Sequence, residues 1–306
     1  MNTSSIFGLV SVAIPAYKSE YLSEAIVSVL NQTYSNLELI IVNDKSPEDI
    51  YNIVSKFSDK RIRYYENEVN IGGRDPVANW NKCLSLANGR YFALLCDDDV
   101  YEPRFIEEML KLKAAYPSVN VFRSRVKIVD SQGQAISMYP SSPEFETCFD
   151  YMWHKLSWLR KQTISEFLYD TEYIKNKGGY YPLPKAWGSD DISCFIFSKD
   201  NGIATSNELL VSFRMSGLNI SANNDKNVKE KIKATVEYRK LIEILLQDCN
   251  DKALSKMINI AKESNYDKQI GWCLYLSNFH DLVWAVKNVA IGKKVILKSL
   301  LKKIFK

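Results

Sequence analysis

The sequence predicts an α/β protein, a mostly parallel sheet flanked by helices and followed by a C-terminal helical extension. Three observations carry that prediction. Short apolar, β-branched runs alternate with segments of helical periodicity through the first 123 residues, a rhythm that lays strands side by side and covers both sheet faces with helices. Polar clusters follow three of the runs, at Pro15-Ala16-Tyr17, Asn43-Asp44 and Asp97-Asp98-Asp99, and open α/β sheets bind their ligands beyond the carboxyl ends of strands. From residue 228 onward, helical spacing replaces the strand pattern.

Residues 9–14 (LVSVAI) form a compact buried strand that ends at Pro15. Leu22, Ala25, Ile26, Val29 and Leu30 recur at helical spacing over 20–30. A second strand fits 37–42. A helix fits 48–57, with Pro47 placed at its tolerated first turn. Strands at 61–65, 91–95 and 119–123 alternate with helices over 76–87 and from Pro103 to Ala115. The region 125–220 is less regular, with aromatic stretches, Gly178-Gly179 and Asp190-Asp191. Helices then occupy 228–247 and 252–290. The expected division is a sheet domain over 1–221, a helical lobe over 222–290 and a basic amphipathic tail over 291–306.

The 306 residues, 46% hydrophobic and 25% charged, support a substantial core and exclude disorder. The six cysteines (Cys83, Cys96, Cys148, Cys194, Cys249, Cys273) include no C-x-x-C pair, so zinc and a disulfide framework are poor readings and buried thiols in a reducing compartment fit better. His154 and His280, the two histidines, are far apart in sequence. No leader-like or membrane-spanning apolar run is evident, and a cytoplasmic location is expected. The formal net charge is +4, yet seven lysines and no acid follow Asp281; removing them from the 40 bases leaves 33 against 36 acids. The basic excess therefore belongs to the tail, which argues against a nucleic-acid-binding face.

Three adjacent aspartates after an apolar strand repel one another. A divalent cation resolves the conflict, and carboxylates suit Mg2+ or Mn2+; the competing reading is an acidic turn capping the next helix. Asp190-Asp191 can likewise be a helix cap over 190–198, and Asp44 a turn residue before Ser46-Pro47. Gly72-Gly73 lacks both the G-x-G-x-x-G and the G-x-x-x-x-G-K-[ST] pattern, so neither a Rossmann nor a P-loop site follows.

The chain resembles a family 2 glycosyltransferase of GT-A fold. The likeness rests on VSVAIPAYKSEYLSEAIVSVLNQTYSNLELIIVNDKS (10–46), on NGRYFALLCDDDVYEP (88–103) and, more loosely, on KNKGGYYPLPKAWGSDDIS (175–193) and FRMSGLNIS (213–221). It covers about residues 8–221. The resemblance implies that Pro15, Ala16 and Tyr17 line the base and ribose, that Asp44 contacts the base and that Asp97 meets the ribose. It implies that Asp98, with Asp99 beside it, holds a metal on the donor diphosphate. Asp191, with Asp190 as the second choice, matches the general base, and Arg214 is expected near the diphosphate. A carboxylate at Asp44 would accept a ring N–H of uracil, thymine or guanine and disfavour cytidine. The implied reaction is metal-dependent, inverting hexosyl transfer from a nucleotide-diphosphate sugar, UDP first, to a glycan or lipid-linked saccharide in bacterial surface-polysaccharide assembly.

The sequence departs from the family in three places. Asn43-Asp44-Lys45-Ser46 stands for Asp-Asp-Gly-Ser. Ser216 occupies the usual histidine position, which leaves water as the replacement ligand. Asn79-Trp80-Asn81 replaces Ala-Arg-Asn, with Arg74 as a substitute positive charge. Two other functions compete: a sugar-phosphate nucleotidyltransferase, for which the Gly-rich N-terminal loop is missing, and a catalytically inactive binding or scaffold protein, which would bind neither metal nor nucleotide. Trp153, Trp158, Trp187, Tyr180 and Tyr181 are expected either in the core or stacked on an acceptor sugar. In the tail, a helix over 296–306 would gather Leu297, Leu300, Leu301, Ile304 and Phe305 on one face and Lys298, Lys302, Lys303 and Lys306 on the other. That pattern suits either packing on the parent domain or an anionic membrane surface, and hence a peripheral position on the inner face of the cell membrane.

Overall fold

The computed structural model describes residues 7–217 and 227–304. The expected boundary at 221–222, the LNIS end of 213–221, and Phe305 and Lys306 of the tail lie outside the described residues. In chain order the sheet half contains β1 (Val10–Ala16), α1 (Leu22–Leu30), β2 (Leu37–Asn43), α2 (Ile50–Val54), β3 (Ile62–Glu66), α3 (Pro76–Ser85), β4 (Tyr91–Leu94), β5 (Val100–Tyr101), α4 (Phe105–Ala115), β6 (Val121–Val129), β7 (Ala135–Met138), β8 (Phe145–Glu146), α5 (Cys148–Leu156), β9 (Phe167–Asp170), α6 (Thr171–Asn176), α7 (Ser189–Ser198) and β10 (Ile203–Arg214). The helical part contains α8 (Val228–Leu245), α9 (Lys252–Leu276), α10 (Phe279–Asn288) and α11 (Lys293–Ile304).

The strands form one sheet in the order β3-β2-β1-β4-β9-β6-β10-β5, with β7 beside β6 and β8 beside β10. The ladders β3-β2-β1-β4 are parallel, as the alternation of runs and helices requires. The other half is mixed: β9 enters antiparallel between β4 and β6, and β10 runs parallel to β6. Pro15 lies inside β1 rather than ending it. Its missing donor costs nothing there, because β1 pairs with β4 only as far as Ala13 while its ladder with β2 continues to Ala16. Val10, Val12, Ala13, Ile14 and residues 39–42 are fully buried. At roughly 1.5–3 kcal/mol for each large side chain removed from water, these central strands are the rigid base on which the site stands.

Some boundaries move. The 48–57 helix shortens to Ile50–Val54, because Asp49 caps it by accepting the Asn52 N–H at 3.0 Å. Pro47 stays outside. The 252–290 stretch is two helices: Ser277 turns extended, and the Asn278 side chain restarts the helix by accepting the Asp281 N–H at 2.8 Å. One core lies on the sheet face that carries α1 and α4. On the other face, α8 and α9 share a core with α3, α5 and α7 through Tyr238, Ile242 and Ile258. A third cluster joins α8, the far end of α9, α10 and α11.

The tail helix differs from its expected facing. Val295, Ile296 and Ser299 turn inward, with the Ser299 hydroxyl donating to Gly271 O at 3.0 Å on α9. Leu297 and Leu301 point outward, 59% and 44% exposed, next to exposed Lys294, Lys298 and Lys302. Periodicity alone did not reveal that the contact with Gly271 sets the rotation of α11. Among the described residues, no helix is long and apolar enough to cross a membrane.

Candidate active site

Three strand ends converge. The Tyr17 and Lys18 backbone N–H groups both donate to Asp97 Oδ2 at 2.8 Å, which ties the turn after β1 to the end of β4. The Ser46 hydroxyl donates to Tyr17 O at 2.6 Å, and the Asp44 N–H to Ala16 O at 2.9 Å, which tie the same turn to the end of β2. Ala16 is buried, while the Tyr17 side chain stands open at 41% exposure. Asp44 is buried, and its carboxylate gathers the loop over 67–72. Oδ1 accepts from Asn67 Nδ2 at 2.7 Å and from the Ile71 N–H at 2.8 Å; Oδ2 accepts from the Gly72 N–H at 2.7 Å. Gly72 is required by this approach, since a Cβ there would stand 2.7 Å from Asp44 Oδ2. Arg74 lies exposed on the same loop, whose carbonyls at Gly73 and Arg74 accept from Lys185 Nζ at 3.0 and 3.3 Å.

Asp97, Asp98 and Asp99 are each at most 4% exposed. Lys18 answers two of them: Nζ lies 3.2 Å from Asp97 Oδ1 and is in direct contact with Asp98 Oδ2. Burial pulls the Lys18 ammonium down, but the Asp97 and Asp98 charges outweigh it and its pKa lies above the ordinary lysine value. Burial raises Asp97, against the opposing pull of Lys18 and the two N–H donors. Asp99 accepts the Ser165 hydroxyl at 2.6 Å on Oδ2 and the Arg214 N–H at 3.0 Å on Oδ1. Burial, with the Asp98 charge second, pushes Asp99 up to about 7. Arg214 does not stand open to a ligand. Its guanidinium donates to Asp98 O at 3.1 Å and Ser131 O at 3.1 Å, pairs with Glu24 at 2.5 Å and lies 4.2 Å over the Tyr21 ring. It braces the aspartate turn from behind.

The second acidic pair opens α7. Gly188, at φ +84°, delivers the chain into the helix, and Asp190 and Asp191 fill the first turn, where the helix dipole favours carboxylates. Both oxygens of Asp191 face partners: Lys155 Nζ of α5 at 2.9 Å from Oδ1, and the Tyr238 hydroxyl of α8 at 3.5 Å from Oδ2. Asp190 accepts a long side-chain contact from Gln162 Nε2 at 3.5 Å, and the backbone N–H groups of its own turn oppose the rise in its pKa that burial causes. Burial and then the Asp191 charge push Asp190 up to about 7, with Lys155 opposing. The segment 162–165 joins the two acidic groups, since Gln162 touches Asp190 and Ser165 touches Asp99. Four residues span at most about 14 Å, so this short segment is the covalent link between the two acidic groups. Tyr139 registers both: burial raises its hydroxyl, and the charges of Glu166, Asp99 and Asp190 add to the rise.

Several site residues escaped the sequence reading. Lys18 and Ser46 lie inside the 10–46 stretch, near residues that were singled out, and that proximity is the one signal that could have found them, since Lys18 meets Asp97 and Asp98 across 79 and 80 residues. Lys155 and Ser165 lie outside the motif stretches and meet partners 36 and 66 residues away. Asn81 is another. Its side chain donates to Tyr180 O at 2.9 Å and accepts the Tyr180 N–H at 2.8 Å, fastening α3 to the segment that leads into α7. Tyr180 is fully buried and Tyr181 is packed against the same core. Trp158, at 56% exposure, is not a core residue.

The donor atoms fit a hard divalent cation. Ligand atoms of Cys96, Asp98 and Asp99 lie within 4.8 Å of one another. Thiols are soft ligands and carboxylates hard ones, and both Asp99 oxygens already accept hydrogen bonds. Asp98 is therefore the direct carboxylate ligand this set offers, with Asp99 fixing the turn behind it. One or two carboxylates completed by phosphate oxygens and water is a usual arrangement for Mg2+.

The sequence matches the family model described as Glycosyl transferase family 2 over residues 11–171. It is 35% identical over 124 residues to an uncharacterised glycosyltransferase of Haemophilus influenzae, covering 40% of this chain and 38% of that protein. It is 32% identical over 178 residues to WcaA of Escherichia coli, whose name assigns it to colanic acid biosynthesis, covering 54% of this chain and 61% of that one. The chain thus spans less than two thirds of the length of either relative. Among solved structures, S. aureus TarS in complex with UDP-GlcNAc superposes with a TM-score of 0.67 at 14% identity, covering 97% of this chain and 88% of that one. The mannosyltransferase PcManGT of Pyrobaculum calidifontis, in complex with GDP-Man and Mn2+, gives 0.60 at 13%, covering 100% and 88%. At these identities the likeness establishes the GT-A fold.

Proposed function

The chain belongs to glycosyl transferase family 2, and from that premise we propose that it transfers a sugar from a nucleotide-diphosphate donor, a UDP-sugar first, to an acceptor hydroxyl with inversion. The observation that carries the proposal is the meeting of three strand ends on Asp97, Asp98 and Asp99, with the Asp190-Asp191 pair across the 162–165 segment. A family member named for colanic acid biosynthesis and structures of the same fold solved with UDP-GlcNAc or GDP-Man support it.

In this reading the open ring of Tyr17 and the wall at Pro15-Ala16 receive the base and ribose. Asp44, with three donors already on its carboxylate, keeps acceptor capacity for one ring N–H. Asp97 holds the β1 turn in place and meets the ribose. Asp98 would hold a divalent cation, Mn2+ or Mg2+, whose charge would offset that developing on the leaving diphosphate. Arg214 sets the Asp98 backbone and Arg74 lies at the donor edge. The acceptor oxygen attacks the anomeric carbon as the bond to the diphosphate breaks, and the acceptor proton passes to a carboxylate of the α7 pair, Asp191 first and Asp190 second. A single displacement from the face opposite the diphosphate inverts the centre.

The domain reading follows: catalysis in 1–221, a helical lobe in 222–290 and a tail in 291–306. We assign the acceptor to surface-polysaccharide assembly, a glycan or a lipid-linked saccharide, and the outward stripe of Leu297, Leu301, Lys294 and Lys298 to an anionic membrane surface. The test of the core proposal is thermal stabilisation by nucleoside diphosphates with Mn2+ or with chelator, because a ligand of the folded state raises its melting temperature. UDP with Mn2+ should stabilise the wild type, and chelator or Asp98→Ala should remove the gain. No shift with any nucleoside diphosphate would overturn the proposal.

A further inference from the structure

We propose that Lys18 is a built-in counter-ion that competes with the divalent cation for Asp98 and is handed to the donor diphosphate when the cation binds. The proposal rests on the nucleotide-sugar reading for the identity of the diphosphate, but the competition itself does not need a nucleotide.

Geometry carries the argument. The Lys18 ammonium contacts Asp98 Oδ2 and lies 3.2 Å from Asp97 Oδ1, while the two carboxylates are 4% and 6% exposed at the side chain. The root of Lys18 is fixed on both sides: its own N–H and that of Tyr17 donate to Asp97, and the Ser19 N–H donates to Glu48 Oε2 at 2.7 Å. Only the four-carbon stem remains to move, and the side chain is already 23% exposed. A lysine head is a compact point charge on a flexible stem, suited to changing partners.

Lys18 sits on the Asp98 oxygen that a cation at this turn would share. Asp99 is occupied by Ser165 and the Arg214 N–H, and Asp97 by the Tyr17 and Lys18 N–H groups. A divalent ion on Asp98 would stand within a few ångströms of the ammonium, shielded from water on the buried side, and the two cations repel strongly at that range. Without a nucleotide, Lys18 can only turn to solvent. A diphosphate supplies anionic oxygens in the same place, so Lys18 exchanges one anionic partner for another. Cation and nucleotide then each raise the affinity for the other by the same factor, and Lys18 adds a second positive charge on the leaving group.

The experiment titrates Mn2+ alone into the full chain, following free Mn2+ by electron paramagnetic resonance, for the wild type, Lys18→Met and Lys18→Arg. Lys18→Met should bind Mn2+ at least about tenfold more tightly than the wild type, and Lys18→Arg should stay near the wild type. An unchanged or weaker Mn2+ affinity in Lys18→Met overturns the proposal, whatever nucleotide the enzyme binds. Should Lys18→Met fail to fold, acetylation of lysines in the wild type, read by mass spectrometry, decides. Saturating Mn2+ should raise the labelling of Lys18, and UDP added with Mn2+ should lower it again. Labelling unaffected by Mn2+ overturns the proposal.

Discussion

Replacing Asp190 with Asn should stabilise the protein at neutral and alkaline pH and leave its stability near pH 4 almost unchanged. Burial and the Asp191 charge push Asp190 up to about 7 from 3.8, and Lys155 opposes them only in part. The folded chain therefore keeps a proton on this carboxyl that the unfolded chain has already lost. Because the folded state binds more protons, stability falls as pH rises from about 4 to about 7 and stays at the lower level above. Moving a carboxyl from 3.8 to about 7 corresponds to roughly 4 kcal/mol, a ceiling, since water reaches the half-buried group and screens it. Asn keeps the volume and an acceptor for Gln162 at 3.5 Å, carries no charge, and leaves the 2.9 Å Lys155–Asp191 pair intact. The expected gain is about 1–3 kcal/mol at pH 8. Urea unfolding followed by far-ultraviolet circular dichroism at pH 4, 6 and 8 measures it. The difference between variant and wild type should grow across that range. A difference independent of pH would show that Asp190 does not titrate as its surroundings dictate, and would refute the reasoning.

Asp191→Asn should abolish sugar transfer while sparing UDP-dependent thermal stabilisation; a variant that still transfers sugar would remove Asp191 from the role of base. Gly179→Ala should cost about 2–3 kcal/mol in urea unfolding, because Gly179 sits at φ +73° and a Cβ would meet Asn81 Oδ1 at 2.5 Å; wild-type stability would contradict the fastening role of that contact. Arg123→Met should cost roughly 3–5 kcal/mol at pH 8 and less at pH 5. It strands buried Glu166, paired at 2.6 Å and raised by burial to about 7 even with Arg123 opposing, and protonation at low pH relieves the stranded charge. Leu297→Ser with Leu301→Ser should reduce flotation on vesicles containing anionic lipid without lowering the melting temperature, because both side chains point outward; equal flotation would rule out this stripe as a membrane contact.

The parallel half of the sheet was legible because its central strands are buried on both faces and so read as mostly apolar runs, 10–14 and 37–42, interrupted by Ser11 and Glu38, which hydrogen-bond to each other at 2.5 Å. The antiparallel half was not. β9 spans four residues, Phe167–Asp170, in an aromatic stretch with no clear period, and its place between β4 and β6 depends on partners far along the chain. Outside 125–220 the existence of helices was readable from spacing, while the helices Cys148–Leu156 and Thr171–Asn176 were not, and helix ends followed caps such as Asp49 and Asn278, which act through single side-chain hydrogen bonds.

By itself the sequence determined the fold class, the strand-end acids and the likeness to a transferase family, because these reside in local pattern and contiguous motif. Tertiary structure alone decided what each acid meets. Arg214 sits behind the aspartate turn instead of facing a ligand, Asp44 gathers the 67–72 loop, Lys155 divides the α7 pair, and Lys18 lies on Asp98. The physical reason is that a buried charge is tolerated only beside a partner, and in this protein the partners come from other elements, brought within 3 Å or so by the packing of the whole sheet.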